Sequence, residues 1–200
     1  MRFSIAFALM LFAGGSPSAS KPSVVFVGDS ITVLATPAIH QLLDPKYDVE
    51  ILAVIGIRIN TSVPTLESAL KFRPDAVVVN LGTNDALEGG VDSDWLSSWN
   101  KLIRITRNTP CVVLTTVNTA ADALSHRPIA TKINADIRAL AAQNPKKYKV
   151  ADWNRFLSRH VSNQRTYLRA EPILIHPTPE GAVKLSALDQ SALAKCGSRS

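Results

Sequence analysis

Five short runs rich in Val, Ile and Leu recur along this chain, and a segment with helical character separates each run from the next. The predicted strands are residues 23–27, 49–54, 76–81, 111–117 and 148–151. Their apolar residues are nearly continuous, which is typical of strands buried on both faces. Regular alternation of strands and helices requires crossover connections, and these produce a parallel sheet. The pattern therefore predicts an α/β fold with a parallel sheet of about five strands, covered by helices on both sides.

The segments between these strands carry signals for helix ends. Ser30 precedes an apolar segment, residues 31–43, and is predicted to cap that helix. Further helices are predicted over residues 63–72, 94–107, 128–143 and 179–194, most of them bounded by proline. No internal repeat or linker is visible, so we expect residues 21–200 to form one domain.

The N-terminus differs in composition from the rest of the chain. Met1 and Arg2 precede an apolar stretch, residues 3–13, and small residues follow it. This pattern is typical of a secretory signal peptide, and the stretch is shorter than the roughly 20 apolar residues of a membrane span. A short amphipathic anchor is the alternative, but no polar helical face is visible. We therefore expect residues 1–20 to be a signal peptide, the protein to be secreted or periplasmic, and no stable membrane anchor to remain after cleavage.

Two cysteines, Cys111 and Cys196, are present. In an exported chain an even number favours a disulfide, which would tie the last helix to the sheet. Two separate buried thiols are the alternative.

The formal net charge is +6, and the basic residues are scattered. Without a nucleic-acid-binding motif, a basic cluster indicates a solvated face rather than a nucleic-acid partner. The densest such cluster consists of Arg155, Arg159, Arg165 and Arg169.

Polar residues and glycines follow four of the predicted strands. In a parallel sheet, sites form beyond the carboxyl ends of the strands, where these residues converge. They are Gly28-Asp29-Ser30, Gly56, Gly82-Thr83-Asn84-Asp85 and Asp152-Trp153.

Ser30 is a candidate nucleophile at this edge. Its backbone N–H, the Gly56 N–H and the Asn84 side-chain amide are candidates for an oxyanion hole. Each residue also has an ordinary structural alternative, because serine caps helices, glycine ends strands and asparagine forms turns. Their combination favours the catalytic interpretation.

His176 is the candidate general base. It lies in a stiff segment before the last predicted helix, where Pro177 and Pro179 restrict the backbone. A packing or capping role is the alternative. The other histidines are predicted to lie far along the helix of Ser30 or to be solvated: His40, His126 and His160. No convincing cluster of metal ligands is visible, so we expect neither a metal nor another cofactor.

These blocks resemble the SGNH (GDSL) hydrolase family in both identity and order, over nearly the whole chain after residue 20. The resemblance implies a three-layer α/β/α sandwich with a flavodoxin-like sheet. It also implies that Ser30 is the nucleophile and His176 the base, with oxyanion donors at Ser30, Gly56 and Asn84. Asp152-Trp153 and the strand that begins at Cys111 further resemble SGNH domains associated with cell-envelope O-acyltransferases.

The chain departs from the family pattern three residues before the histidine, where Ile173 replaces the usual aspartate. That acid orients the imidazole and stabilises its charged form. Three possibilities are open. A backbone carbonyl near Ile173 orients His176, another carboxylate such as Asp152 or Glu171 takes over, or the site is impaired and the fold is retained for binding.

The predicted function is an exported serine esterase that forms an acyl-enzyme with small acyl groups such as acetyl. An envelope polysaccharide or peptidoglycan O-acyltransferase and a catalytically impaired binding module are the alternatives. The expected partner is a small acyl ester or an acylated glycan. The tryptophans are candidates for stacking on sugars, although core packing is favoured for at least two of them: Trp95, Trp99 and Trp153.

Overall fold

The computed structural model describes residues 20–87, 94–119, 127–170 and 174–197. In these residues a single sheet contains five strands, all parallel. They are β1 (Ser23–Gly28), β2 (Asp48–Ala53), β3 (Ala76–Asn80), β4 (Cys111–Thr115) and β5 (Tyr148–Ala151). Their spatial order is β2-β1-β3-β4-β5, the flavodoxin-like order of doubly wound folds. The predicted parallel sheet is therefore confirmed.

Helices cover both faces of the sheet. They are α1 (Ser30–Leu43), α2 (Ile59–Leu70), α3 (Thr83–Leu87), α4 (Asp94–Ile105), α5 (Arg127–Gln143), α6 (Trp153–Arg159), α7 (Gln164–Tyr167) and α8 (Pro179–Leu193). Helix α1 packs against α8, while α2 packs against α4 and α3 against α5. The first connection runs from β1 towards one edge of the sheet, at β2, and the later connections run from β2 through β3 and β4 to the other edge, at β5. Right-handed crossovers in opposite directions place their helices on opposite faces. Helices α1 and α8 therefore lie on one face, and α2, α3, α4 and α5 lie on the other. The three-layer α/β/α arrangement follows.

Burial differs between the central and edge strands. All residues of β3 and β4 are buried, as are five of the six in β1. In contrast, β2 is partly exposed along its length. The expectation of burial on both faces was therefore wrong for β2, because it lies at the edge of the sheet with β1 as its one neighbour.

Strand β4 is shorter than the predicted run of residues 111–117. Beyond Thr115, the backbone of Val117 bonds to the Asn134 side chain instead of to a neighbouring strand. Its N–H donates to Asn134 Oδ1 at 2.8 Å, and its carbonyl accepts from Asn134 Nδ2 at 2.7 Å. The buried Asn134 side chain therefore takes the place of a strand partner at Val117. The short helices α3, α6 and α7 and two 3-10 turns, Thr106–Asn108 and Val161–Asn163, were not predicted.

A disulfide joins Cys111, at the start of β4, to Cys196, just beyond α8. The two residues are 85 positions apart in the chain. By the loop-entropy estimate, a crosslink of that span stabilises the fold by about 4–5 kcal/mol. The disulfide lies at the amino end of β4. It therefore anchors the end of α8 at the amino edge of the sheet, opposite the carboxyl edge that carries the catalytic candidates.

The predicted signal peptide falls almost entirely on residues 1–19, outside the described part of the chain. It stays a prediction. No helix in the residues that the structure describes has the length and apolar character needed to cross a membrane.

Candidate active site

Ser30, Gly56 and Asn84 lie in loops or helix starts that follow three adjacent strands. Strand β1 pairs with β2 on one side and with β3 on the other. The close approach of α1 to β1 depends on Gly28, because a Cβ there would lie 2.0 Å from Thr32 Oγ1. The carboxyl edge of the sheet therefore brings these candidates to one place.

Asp29, rather than Ser30, caps helix α1. Its Oδ1 accepts a hydrogen bond from the Ile31 N–H at 2.9 Å, and Ser30 becomes the first residue of the helix. The prediction of a Ser30 cap was wrong, because Asp29 already stands at the capping position. The consequence is functional: the Ser30 hydroxyl is left for other contacts, and it lies at the positive end of the helix dipole.

Ser30 and His176 are in hydrogen-bond contact. The Ser30 Oγ lies 2.9 Å from His176 Nε2, although 146 positions separate the two residues in the chain. Partial burial and the nearby charge of Arg169 lower the pKa of His176 below its ordinary value of 6.5. A neutral imidazole is therefore favoured at neutral pH, and its Nε2 can accept the serine proton when the ring proton is on Nδ1.

The loop that carries His176 is held by main-chain bonds to residues at the end of α7 and just after it. The Arg169 N–H donates to the His176 carbonyl at 2.8 Å, and the Thr178 N–H donates to the Tyr167 carbonyl at 3.0 Å. An isolated antiparallel bridge joins the same two segments. Thr178 then caps α8 through its side chain. These contacts hold the backbone of His176 and of the two residues that follow it.

Asp152, one carboxylate considered for orienting His176, is engaged elsewhere. It caps α6 at the end of β5, and its Oδ1 accepts from Thr116 Oγ1 at 3.0 Å and from Arg138 Nη2 at 2.9 Å. It makes no hydrogen bond or ion pair with His176. These contacts of Oδ1 favour a structural role for Asp152, and its role in orienting His176 stays a prediction.

Glu171 and the backbone near Ile173 are the two remaining candidates for orienting His176. Both segments lie outside the described residues, so both roles stay predictions. Within the described ranges, no carboxylate or carbonyl accepts a hydrogen bond from His176 Nδ1.

The two backbone N–H groups predicted as oxyanion donors belong to Ser30 and Gly56. The Ser30 N–H lies in the first turn of α1, where helix geometry provides no partner. Gly56 has φ +75° in the exposed loop after β2, a conformation that favours glycine. In the part of the chain that the structure describes, neither N–H has a hydrogen-bond acceptor.

The Asn84 side chain ties the Gly56 loop to the nucleophile turn. Its Nδ2 donates to the Ile57 carbonyl at 2.9 Å and, more weakly, to Asp29 Oδ2 at 3.4 Å. Both amide hydrogens are therefore engaged, a contact that the sequence did not suggest. To donate to an oxyanion, Asn84 must give up the longer bond to Asp29.

Two buried carboxylates lie behind this asparagine. Asp29 is fully buried, and burial raises its pKa to about 7, with a further rise from the charge of Asp85 and an opposing effect from the Ile31 N–H. Asp85 Oδ2 accepts from the Ile59 N–H at 3.2 Å, and its Oδ1 lies 3.7 Å from Arg58 Nε. The serine side of the site is thus built on acidic groups.

His40, His160 and the tryptophans make other contacts in the described residues. Trp99 and Trp153 are buried in the core, which confirms packing for two tryptophans, and Trp95 packs against the core from its edge. His160 is not simply solvated as expected: its ring packs against Phe156 and Tyr167. The side chain of His40 pairs with the aspartate four residues later, and His126 falls outside the described residues.

No group of three or more His, Cys, Asp or Glu side chains that could hold a metal is found among the residues described.

Comparison with known proteins places this arrangement in a family. Residues 26–184 match the model of the GDSL-like lipase/acylhydrolase family. The chain belongs to that family. It is a serine hydrolase that acts on ester bonds. No curated protein sequence matches the chain.

Solved structures share the fold at low sequence identity. The C-terminal catalytic domain of peptidoglycan O-acetyltransferase A from Streptococcus pneumoniae is 22% identical, with 87% of this chain and 93% of that chain covered and a TM-score of 0.67. A lipolytic protein of the G-D-S-L family from Veillonella parvula is 14% identical (86% and 98% covered, TM-score 0.70). An acetylxylan esterase from Geobacillus stearothermophilus is also 14% identical (90% and 98% covered, TM-score 0.67).

Proposed function

We propose that this protein hydrolyses small acyl esters, such as acetyl esters, through an acyl-enzyme formed on Ser30. The 2.9 Å contact between Ser30 Oγ and His176 Nε2 is the observation that carries the proposal. It lies at the carboxyl edge of the sheet and at the amino end of α1, where a developing negative charge is favoured. The acetylxylan esterase and the O-acetyltransferase domain among the structural neighbours support the choice of a small acyl group.

In the first half of the reaction, His176 Nε2 takes the proton of Ser30 as Oγ attacks the ester carbonyl carbon. The tetrahedral intermediate then collapses, and the protonated imidazole gives its proton to the departing alcohol oxygen. The acyl group remains bonded to Oγ. In the second half, water attacks this ester and His176 takes a proton from that water. Collapse releases the carboxylic acid and returns the proton to Ser30.

The oxyanion of each intermediate lies between the Ser30 and Gly56 N–H groups. The start of α1 and the loop after β2 support this role, since each presents an N–H that has no acceptor among the described residues. Asn84 provides a third donor when its amide turns from Asp29 Oδ2 towards the oxyanion. Loss of one donor of this kind typically costs about 3–4 kcal/mol of transition-state stabilisation.

His176 performs this role as part of a Ser–His pair in which the loop backbone supplies the orientation. The bond from the Arg169 N–H to the His176 carbonyl and the bond from the Thr178 N–H to the Tyr167 carbonyl support this view, since they hold the backbone at His176 and just after it.

The test is covalent labelling of Ser30 by a small alkyl fluorophosphonate, located by mass spectrometry of the intact protein and its peptides. We expect one adduct, on Ser30, together with loss of hydrolysis of 4-nitrophenyl acetate. Ser158→Ala is a matched control, because the Ser158 hydroxyl only bonds the Asn154 carbonyl on α6. An unlabelled Ser30 in protein that still hydrolyses the ester would contradict the mechanism, and absence of both reactions would favour an impaired binding module.

Transfer of the acyl group to a glycan hydroxyl is the second candidate, favoured by the 22% identical O-acetyltransferase domain. It uses the same acyl-enzyme and replaces water by an acceptor. Product analysis with an acetyl donor, in the presence and absence of chito-oligosaccharides, separates the two. Free acetate as the sole product in both mixtures would exclude transfer to this acceptor.

Export of the protein is part of the proposal. The composition of residues 1–20 and the disulfide between Cys111 and Cys196 support it, since disulfides persist in oxidising compartments. Sequencing the N-terminus of the protein from its native host tests this point. We expect it to begin near residue 20, and an intact Met1 would contradict export by this signal.

A further inference from the structure

Arg169 lies against the loop that carries the catalytic histidine. Its backbone N–H donates to the His176 carbonyl at 2.8 Å, and its side-chain Nε donates to the Pro177 carbonyl at 3.1 Å. Two bonds therefore hold the base of the guanidinium beside the imidazole. The side chain is otherwise exposed to solvent.

The charge of Arg169 has no protein counter-charge in the described ranges of the chain. The carboxylates there that form ion pairs do so with other cations, as Asp152 does with Arg138. Only the Nε of Arg169 donates to the Pro177 carbonyl. The two terminal amino groups of the guanidinium have no protein acceptor among these residues, which leaves four N–H donors. Arg169 also lowers the pKa of His176, which indicates that its charge acts on the imidazole.

The position of Arg169 relates it to one part of the substrate. In the proposed reaction, His176 gives its proton to the alcohol oxygen, so the alcohol leaves on the side of the histidine loop. The oxyanion donors lie on the other side, at the ends of β1, β2 and β3. A group on the histidine loop therefore borders the alcohol rather than the carbonyl oxygen.

A guanidinium presents a planar pair of donors that matches a carboxylate or phosphate. We propose that Arg169 is a specificity residue that binds an anionic group, carboxylate or phosphate, carried by the alcohol part of the ester. This inference rests on the proposed hydrolysis at Ser30 and adds the class of alcohol. A charge-assisted hydrogen bond of this kind corresponds to a preference of about 10- to 100-fold.

The test compares esters that differ in charge. The probes are 3-acetoxybenzoate, 3-acetoxyphenyl phosphate and the neutral methyl 3-acetoxybenzoate, and kcat/KM is measured for wild type and Arg169→Gln. We expect the variant to lose about 10- to 100-fold more on an anionic ester than on the neutral one. A larger loss on the carboxylate or on the phosphate identifies which anion the site prefers. Arg169→Lys keeps the charge and retains part of the preference.

The matched control is Arg165→Gln, which removes an exposed arginine of α7. We expect it to leave kcat/KM for all three esters unchanged. Raising the salt concentration should reduce the preference for the anionic esters in wild type, because screening weakens exposed charge pairs.

A binding experiment gives a readout that does not require turnover. In the Ser30→Ala background, calorimetry should show tighter binding of 3-acetoxybenzoate than of its methyl ester. Adding Arg169→Gln should remove that difference.

The outcomes separate this inference from the proposed function. If wild type hydrolyses the esters through Ser30 and Arg169→Gln lowers kcat/KM equally for anionic and neutral esters, Arg169 only positions the histidine loop and the inference is overturned alone. If wild type hydrolyses none of the esters and Ser30 takes no phosphonate, the proposed function and this inference fail together.

Discussion

The serine half and the histidine half of the candidate site are built on different supports. The serine half is backed by the buried carboxylates of Asp29 and Asp85, which bind helix-start N–H groups and the Asn84 amide. The histidine half is held by main-chain hydrogen bonds and bordered by Arg169. Among the residues described, the carboxyl groups of the site thus lie behind the serine and not behind the histidine.

This difference suggests how each half achieves its geometry. A buried side-chain network fixes its members tightly, because a group left unpaired there costs about 1–3 kcal/mol. Main-chain bonds at a partly exposed loop tolerate more movement. We therefore expect substitutions in the serine half to affect the reaction more than substitutions at Asp152 and Glu171, the two carboxylates considered for orienting His176.

The largest effect should come from the two residues that join the halves. Ser30→Ala and His176→Ala should each lower kcat for 4-nitrophenyl acetate by about 10⁴-fold or more, and the double variant should be no worse than either single one. The reason is that the serine and its base act as a unit. Kinetics of the three variants, with thermal melts to verify folding, measure this coupling. Effects that multiply in the double variant would show that the halves work independently.

Asn84→Ala should lower kcat by about 10²- to 10³-fold, with little change in KM, because an oxyanion donor acts in the transition state. The side chain also restrains the Gly56 loop, so the loss includes some disorder of a second donor. Asn60→Ala, an exposed asparagine of α2, is the control and should be neutral. A loss below about fivefold for Asn84→Ala would mean that this amide only supports the loop.

The pH dependence of kcat/KM distinguishes the two halves, because the pKa of His176 is lowered and the pKa of Asp29 is raised. On the acidic side, kcat/KM should fall as His176 becomes protonated, with a midpoint below pH 6.5 because burial and Arg169 lower the pKa of His176. Removing the like charge in Arg169→Gln should move that midpoint to higher pH. Protonation of Asp29, whose pKa is raised to about 7, is the competing explanation for a loss of kcat/KM on the acidic side. A limb near pH 7 that disappears in Asp29→Asn would assign the pH dependence to the serine half instead.

The smallest effect should come from Asp152→Asn. We expect less than about a threefold change in kcat/KM, because Asp152 binds Thr116 and Arg138 and not the histidine. The free energy of unfolding should fall by about 1 kcal/mol, the usual size for a partly exposed ion pair, since asparagine still caps α6. Urea denaturation and ester kinetics measure the two quantities.

Glu171→Gln tests the other carboxylate considered for orienting His176. A 100-fold loss of kcat/KM in either variant would place an acid behind His176 and remove the contrast between the two halves.

Local patterns predicted the features of this fold that depend on neighbours in the chain. The apolar runs located all five strands within a few residues. Burial on both faces leaves a continuous apolar signal in the central strands, and the partly exposed β2 still contains enough apolar residues to be recognised. Proline and asparagine located most helix ends. The short helices α3, α6 and α7 were missed, since four to seven residues are too few to show a helical period.

The residues of the candidate site were predictable from the sequence because parallel strands end at one edge of the sheet. That rule selected Ser30, Gly56 and Asn84, and the proline-flanked segment selected His176. It did not reveal that Asp29 takes the cap or that Asn84 bonds Ile57 and Asp29, because competition between nearby polar groups depends on distances of tenths of an ångström.

The sequence by itself thus determined the sheet, its layers and the residue types that converge at its carboxyl edge, since periodicity and strand ends are local properties. Only the tertiary structure decided that Ser30 and His176 are 2.9 Å apart across 146 positions of chain. It also decided that Asp152 is engaged elsewhere and that Arg169 borders the imidazole. The Ser30–His176 contact joins segments far apart in the sequence, and the other two depend on how nearby elements and loops pack together, which no local pattern specifies.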